Sequence, residues 1–166
     1  MRERMVSFVC PYCHHEFQMK RDTLAISGIT SKIDERLYDG TYFGHVCQNC
    51  HHLFQLEYAF LYRNVDKHFV LTMHAKLNPF EKNELVVVCK DVPQFLLAYR
   101  ILIQSLNISF VLKKKKMLEL KKNEKVDFDF YDEKNQCLWF KLKNNVLAVP
   151  ITVEEREKEV YNKSKL

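Results

Sequence analysis

Two short stretches of the sequence carry residues suited to chemistry: CPYCHH at 10–15 and CQNCHH at 47–52. Each is Cys-x-x-Cys followed by two histidines. Three chemistries use this spelling. Cys-Pro-Tyr-Cys has the form of a glutaredoxin-like redox pair, Cys-x-x-Cys-His is the attachment signature of a c-type haem, and two facing Cys-x-x-Cys hooks hold a structural zinc ion.

Haem is not expected. Its attachment normally follows export, and the start of the chain, MRERMVSFVC, lacks the apolar core and cleavage site of a signal peptide. Redox use of CPYC needs its first cysteine at a helix N-terminus, where the dipole favours the thiolate. Here SFVCPYCHHEFQMK and HVCQNCHHLFQLEY both read as strand, hook, strand, and a redox pair has no need of a matching second hook. A zinc ion explains the duplication, because two hooks supply four thiolates in a tetrahedron. Cys10, Cys13, Cys47 and Cys50 are the expected ligands, and redox or metal-responsive use of CPYC is the alternative.

The residue after each hook often needs positive φ, the usual place of Gly. It is His14 and His51 here, and His is among the non-Gly types enriched in that region. Pro11 presets the first turn. His14, His15, His51 and His52 read as turn residues beside a complete ligand set. His14 and His51 are auxiliary ligand candidates, and so is His45, two residues before Cys47 on the same strand face.

The hooks need elements that bring them together. Between Cys13 and Cys47 lie 33 residues, more than the usual zinc spacing of about 15–20. The insert, 14–46, must carry its own structure. SKIDERLYDG supplies a short helix, with Ser31 as N-cap, Ile33 and Leu37 one turn apart, and Gly40 as stop.

With these residues in view, the chain resembles the bacterial CpXC domain family, named for its Cys-Pro-x-Cys hook. The likeness rests on CPYCHHEF, on LYDGTYFGHVCQNCHHLFQLEYAFLYRNVDKHFVLTM and, more loosely, on FLLAYRILIQSLNISF, and it covers most of residues 5–150. It implies a zinc-ribbon-like domain with a metal site at Cys10, Cys13, Cys47 and Cys50, and no catalytic residues. The chain departs from the family in having His after each hook and a lysine-rich stretch after the long helix.

The remaining sequence reads as an α+β scaffold. Phe54, Leu56, Tyr58, Phe60 and Tyr62 alternate, and Phe69, Leu71 and Met73 return in an antiparallel hairpin. This aromatic stripe reads as core, the other reading being a platform for stacking bases. NPFEKNELVVVC makes a turn and a third strand. Cys89 and Cys137, without partner hooks, read as small buried apolar residues. DVPQFLLAYRILIQSLN is the clearest helix, packing on the sheet from about 93 to 106. In LKKKKMLELKKNEK, helical geometry fans four consecutive lysines over about 300°. A solvated helix is therefore expected, with Lys113, Lys114, Lys116 and Lys121 as the candidate patch for an anionic partner. KVDFDFYDEKNQCLWFKL reads as a second hairpin, with Asp127 and Asp129 opposite Phe128 and Phe130. Thr152 and Glu155 form a capping box that opens a C-terminal helix.

Composition bounds the function. Glycine occurs only at 28, 40 and 44, so no phosphate-binding loop is available. The net charge of +5 is mild for a dedicated nucleic-acid binder. No apolar run spans a bilayer, and the expected address is the cytoplasm, where six cysteines argue for metal rather than disulfides. The expected fold is α+β: a zinc-ribbon-like antiparallel β unit with its helical insert over 1–75, continuing into an antiparallel sheet packed by one long helix. An α+β portion over 76–166 completes one continuous domain. The expected function is a structural Zn²⁺ site supporting a protein- or nucleic-acid-interaction module, not an enzyme and not membrane-bound. An open catalytic zinc position is disfavoured by the fourth cysteine.

Overall fold

The structure, a computed structural model, describes residues 3–76 and 84–157. Both hooks sit on small antiparallel hairpins. The first is β1 (Glu3–Val9) with β2 (Glu16–Asp22), and the second is β4 (Gly44–Val46) with β5 (Leu53–Gln55). Between them lie β3 (Leu24–Ile26) and α1 (Ile33–Asp39). The insert thus holds strands as well as the expected helix. Ile33 and Leu37 are buried, and Gly40 stops the helix at φ 79°. The cap differs from expectation: the N-cap is Lys32, in the left-handed region and without a side-chain cap bond, rather than Ser31.

The central sheet has the order β3-β6-β7-β8, with β6 (Phe60–Asn64), β7 (Phe69–Met73) and β8 (Leu85–Cys89). It is mixed, not antiparallel. β6 and β7 form the expected hairpin, but β3 lies parallel to β6 and β8 parallel to β7. Parallel neighbours require a crossover of about a dozen residues or more. The chain between β3 and β6 is long enough to hold α1 and the second hook, and β8 returns after 74–84. The turn expected before β8 lies largely outside the described residues.

The stripe from Phe54 to Tyr62 is shared by two sheets, since β5 ends at Gln55 and β6 begins at Phe60. Its alternation nevertheless survives as burial: Leu56, Tyr58, Phe60 and Tyr62 are all core. Buried rings offer no face to a nucleobase. They instead receive α2 (Val92–Ile103), whose Phe95 and Tyr99 meet Phe60 and Tyr62 with ring centroids 5.5 and 5.4 Å apart. Asp91 caps α2 by accepting from the Gln94 backbone N–H at 2.9 Å, and Pro93 occupies its first turn.

α2 is the helix that packs on β7 and β8, and it ends close to the expected boundary. The chain breaks at Ser105, which has φ 59°, and restarts as α3 (Ile108–Lys122). Asn107 is the new N-cap, accepting from the Phe110 N–H at 3.1 Å. A fourth sheet follows, with β9 (Asp127–Asp132), β10 (Cys137–Lys141) and β11 (Val146–Pro150) in the order β11-β10-β9. The register of β9 slips at Asp129: Phe128 faces Phe140 while Phe130 faces Trp139. The bulge turns Phe130 outward, 38% exposed, while Phe128 is buried. The aspartates therefore do not form a common face opposite both phenylalanines, and Asp129 lies 3.6 Å from Lys141. Finally α4 (Val153–Glu157) opens with the expected capping box between Thr152 and Glu155. The end of the expected C-terminal helix lies outside the described residues.

One polar network holds the insert in place. Asp34, in the first turn of α1, accepts from Ser27 Oγ at 2.7 Å, from Tyr99 Oη at 2.9 Å and from the Tyr62 hydroxyl. It ties α1 to β6 and α2 at once. The hydrophobic core runs as one cluster from Phe8 to Ile151. Among the described residues, no helix is long and apolar enough to cross a membrane.

Candidate metal centre

The two hooks are built alike. In the first, the Cys10 N–H donates to the His15 carbonyl and the His14 N–H to the Cys10 carbonyl, both at 2.9 Å. In the second, Cys47 donates to His52 at 3.0 Å and His51 to Cys47 at 2.9 Å. His14 and His51 carry φ of 63° and 62°, the left-handed corner expected after each hook. Val9 faces Glu16 and Val46 faces Leu53 across the hairpin necks, so each hook closes a strand pair. Strands follow both hooks, and the Cys10–Cys13 pair therefore has no helix N-terminus beneath it.

The hooks face each other. Cys10 Sγ lies 3.6 Å from Cys50 Sγ, Cys13 Sγ lies 3.7 Å from Cys47 Sγ, and the four sulfurs all lie within 4.8 Å of one another. The first cysteine of each hook is fully buried and the second half-buried. This geometry is compatible with a four-coordinate metal ion. Among the described residues, these four cysteines are the one group of three or more side chains placed to hold an ion.

Electrostatics points the same way. Cys13 accepts from the Asn49 side-chain amide at 3.4 Å. That bond, with the hook's backbone at His15, pulls its thiol down to about 6. Cys50 is drawn down by its backbone bond at His52. Burial and the three neighbouring thiols outweigh this and push it up to about 12. Crowded thiols cannot all ionise without a counter-charge, and a divalent cation would supply it.

The auxiliary histidines stay outside the cluster. His14 and His51 are exposed corners of the turns. His45 packs instead on Phe17 and Phe54, with centroids 4.9 and 5.6 Å away, and helps line a cavity of about 160 Å³ with His15 and Gln48. An aromatic neighbour on each side holds its imidazole away from the sulfurs. The histidine nearest to them is His52, whose Nδ1 lies 3.4 Å from Cys50 Sγ. The doubled His-His was the sequence signal for it. The signal was ambiguous, because the equivalent His15 stacks on Phe17 instead.

The candidate lysines lie on α3, far along the chain from the hooks. At about 100° per residue, Lys113, Lys114, Lys116 and Lys121 share one broad side. Lys115 is turned away into an ion pair with Glu119. Cys89 and Cys137 are buried singly, and burial pushes the Cys89 thiol up to about 12.

Fold and site together define an α+β protein with paired cysteine hooks whose four thiols meet at one point. The chain belongs to the CpXC protein family, whose model matches residues 8–126. The match takes in both hooks, the central sheet, α2 and α3, and stops just short of β9. No curated protein and no solved structure matches the chain.

Proposed function

We propose that the chain is a zinc-stabilised interaction module of the cytoplasm, with Cys10, Cys13, Cys47 and Cys50 as ligands of a structural Zn²⁺. The observation that carries this is the spacing of the sulfurs. Zinc–sulfur bonds of about 2.3 Å in a tetrahedron put the sulfurs about 3.8 Å apart, and the cross-hook pairs stand at 3.6 and 3.7 Å. Bound zinc would supply the counter-charge that lets all four thiols ionise. The protein's own part is to hold them in place through the matched hook hydrogen bonds. Four thiolates close the shell and leave no position for a substrate or water, which favours a binding protein over an enzyme. One observation favours the thiol-redox reading, the lowered thiol of Cys13. The strands after both hooks weigh against it.

Metal analysis and thiol titration on protein purified under reducing conditions, without added metal, test this reading. One zinc per chain is expected, with the four hook thiols protected until a chelator removes it. Absence of metal together with a Cys10–Cys13 disulfide would overturn it in favour of redox chemistry.

A further inference from the structure

The outer side of α3 exposes two large apolar residues. Met117 and Leu120, one turn apart, are 53% and 76% exposed. Beside them a groove of about 540 Å³ runs between α3 and β11, lined by Lys114, Met117, Leu118, Leu120, Lys121 and Val149. Its floor is aliphatic and its rim is lysine. Lys114 is steadied there by the Phe110 ring, 5.2 Å from its Nζ. Lys113, Lys116 and Lys121 are exposed, and among the described residues none of them pairs with a carboxylate.

We propose that this groove docks an acidic amphipathic segment of a partner protein, with aliphatic side chains seated on Met117, Leu118, Leu120 and Val149 and carboxylates meeting Lys114 and Lys121. The proposal rests on reading the chain as an interaction module and names the chemistry of its partner. Charge complementarity selects that occupant. Nucleic acid shares the negative charge, but the groove offers no ring on which a base could stack. Leu118 and Val149 are half-buried between α3 and β11, where the flat face of a bilayer does not reach. A second copy carries the same net +5. The chain's own last residues, 158–166, bring Lys158, Lys163 and Lys165 against a single Glu159, so they match the rim poorly. Aliphatic anchors one helical turn apart suit the helix-in-groove mode, and Met117 gives the floor a side chain able to adapt to its guest.

The test is a selection from a phage-displayed random-peptide library on the zinc-loaded protein, counter-selected on Leu120→Asp. Fluorescence anisotropy then follows the recovered peptides. Peptides of net negative charge with aliphatics three or four residues apart are expected. Leu120→Asp and the Lys114→Glu/Lys121→Glu pair should each weaken them about tenfold or more, and raising salt should weaken them further. The melting temperature of Leu120→Asp should stay close to that of the wild type, because Leu120 is exposed. Phosphatidylglycerol vesicles, an oligo-dT strand and sedimentation of the protein alone cover the other occupants. The proposal is overturned if recovered peptides are basic, if none depends on Leu120, or if vesicles, oligo-dT or self-association show the Leu120 dependence instead. Zinc content is measured separately, so a failed metal reading and a failed docking reading give different results.

Discussion

Tyr12 stacks on His52 across the two hooks, with ring centroids 4.4 Å apart and planes within 15°. The same imidazole places Nδ1 3.4 Å from Cys50 Sγ. A ring from the first hook thus holds in place the histidine that touches a sulfur of the second. Groups that orient metal ligands are worth about 10–100-fold in metal affinity. His52→Ala is expected to weaken zinc binding by about tenfold or more, read by competition with a chromophoric chelator, and Tyr12→Ala to weaken it less. Unchanged competition curves for His52→Ala would remove this role.

Structural zinc in small modules contributes roughly 10–16 kcal/mol of apparent binding free energy at neutral pH, comparable to the whole stability of a typical domain. Cys10 and Cys47 are the fully buried pair. Cys10→Ser or Cys47→Ser should therefore unfold the N-terminal half, and chelator-treated wild type should melt like the variants. Circular-dichroism melts unchanged from the untreated wild type would refute this.

Acid should release the metal, because protons compete for the thiolates. In the metal-free site, Asn49 and the hook backbone hold the Cys13 thiol down to about 6. Asn49→Ala removes the first of these donors and moves Cys13 back toward its ordinary 9.0. The pH of half-release, followed by a zinc indicator during acid titration, should rise in the variant. A midpoint that stays in place or falls contradicts the assignment.

Base should unfold the protein. Burial raises Tyr42, Tyr58, Tyr62, Tyr99 and Cys89 above their ordinary values of 10.0 and 9.0, and for Tyr62 and Tyr99 the Asp34 carboxylate adds to it. The folded chain keeps these protons where the unfolded chain releases them. The stability they contribute is full below about pH 9 and is lost as pH rises beyond it. The melting temperature should hold to about pH 9 and fall above it, with Tyr99→Phe showing a shallower fall. At neutral pH that variant should cost about 1–3 kcal/mol, since Asp34 loses a donor. A melting temperature flat to strongly alkaline pH would refute the linkage.

The sequence by itself determined the local features. The matched hooks, the left-handed histidines, the Gly40 stop and the Thr152–Glu155 box depend on residues a few positions apart, and each was legible. The alternation from Leu56 to Tyr62 also gave the buried face correctly. Tertiary structure decided what depends on distant partners. Which strand lies beside β6 or β7, and in which direction, follows from crossovers that alternation does not encode. The bulge at Asp129 shifts register, which local pattern reads poorly. The Asp34 network gathers residues from 27 to 99. His45 and His52 show the same division at the centre. Both were visible as histidines beside cysteines, and only the packing of Phe17, Phe54 and Tyr12 sent one away from the sulfurs and brought the other to them.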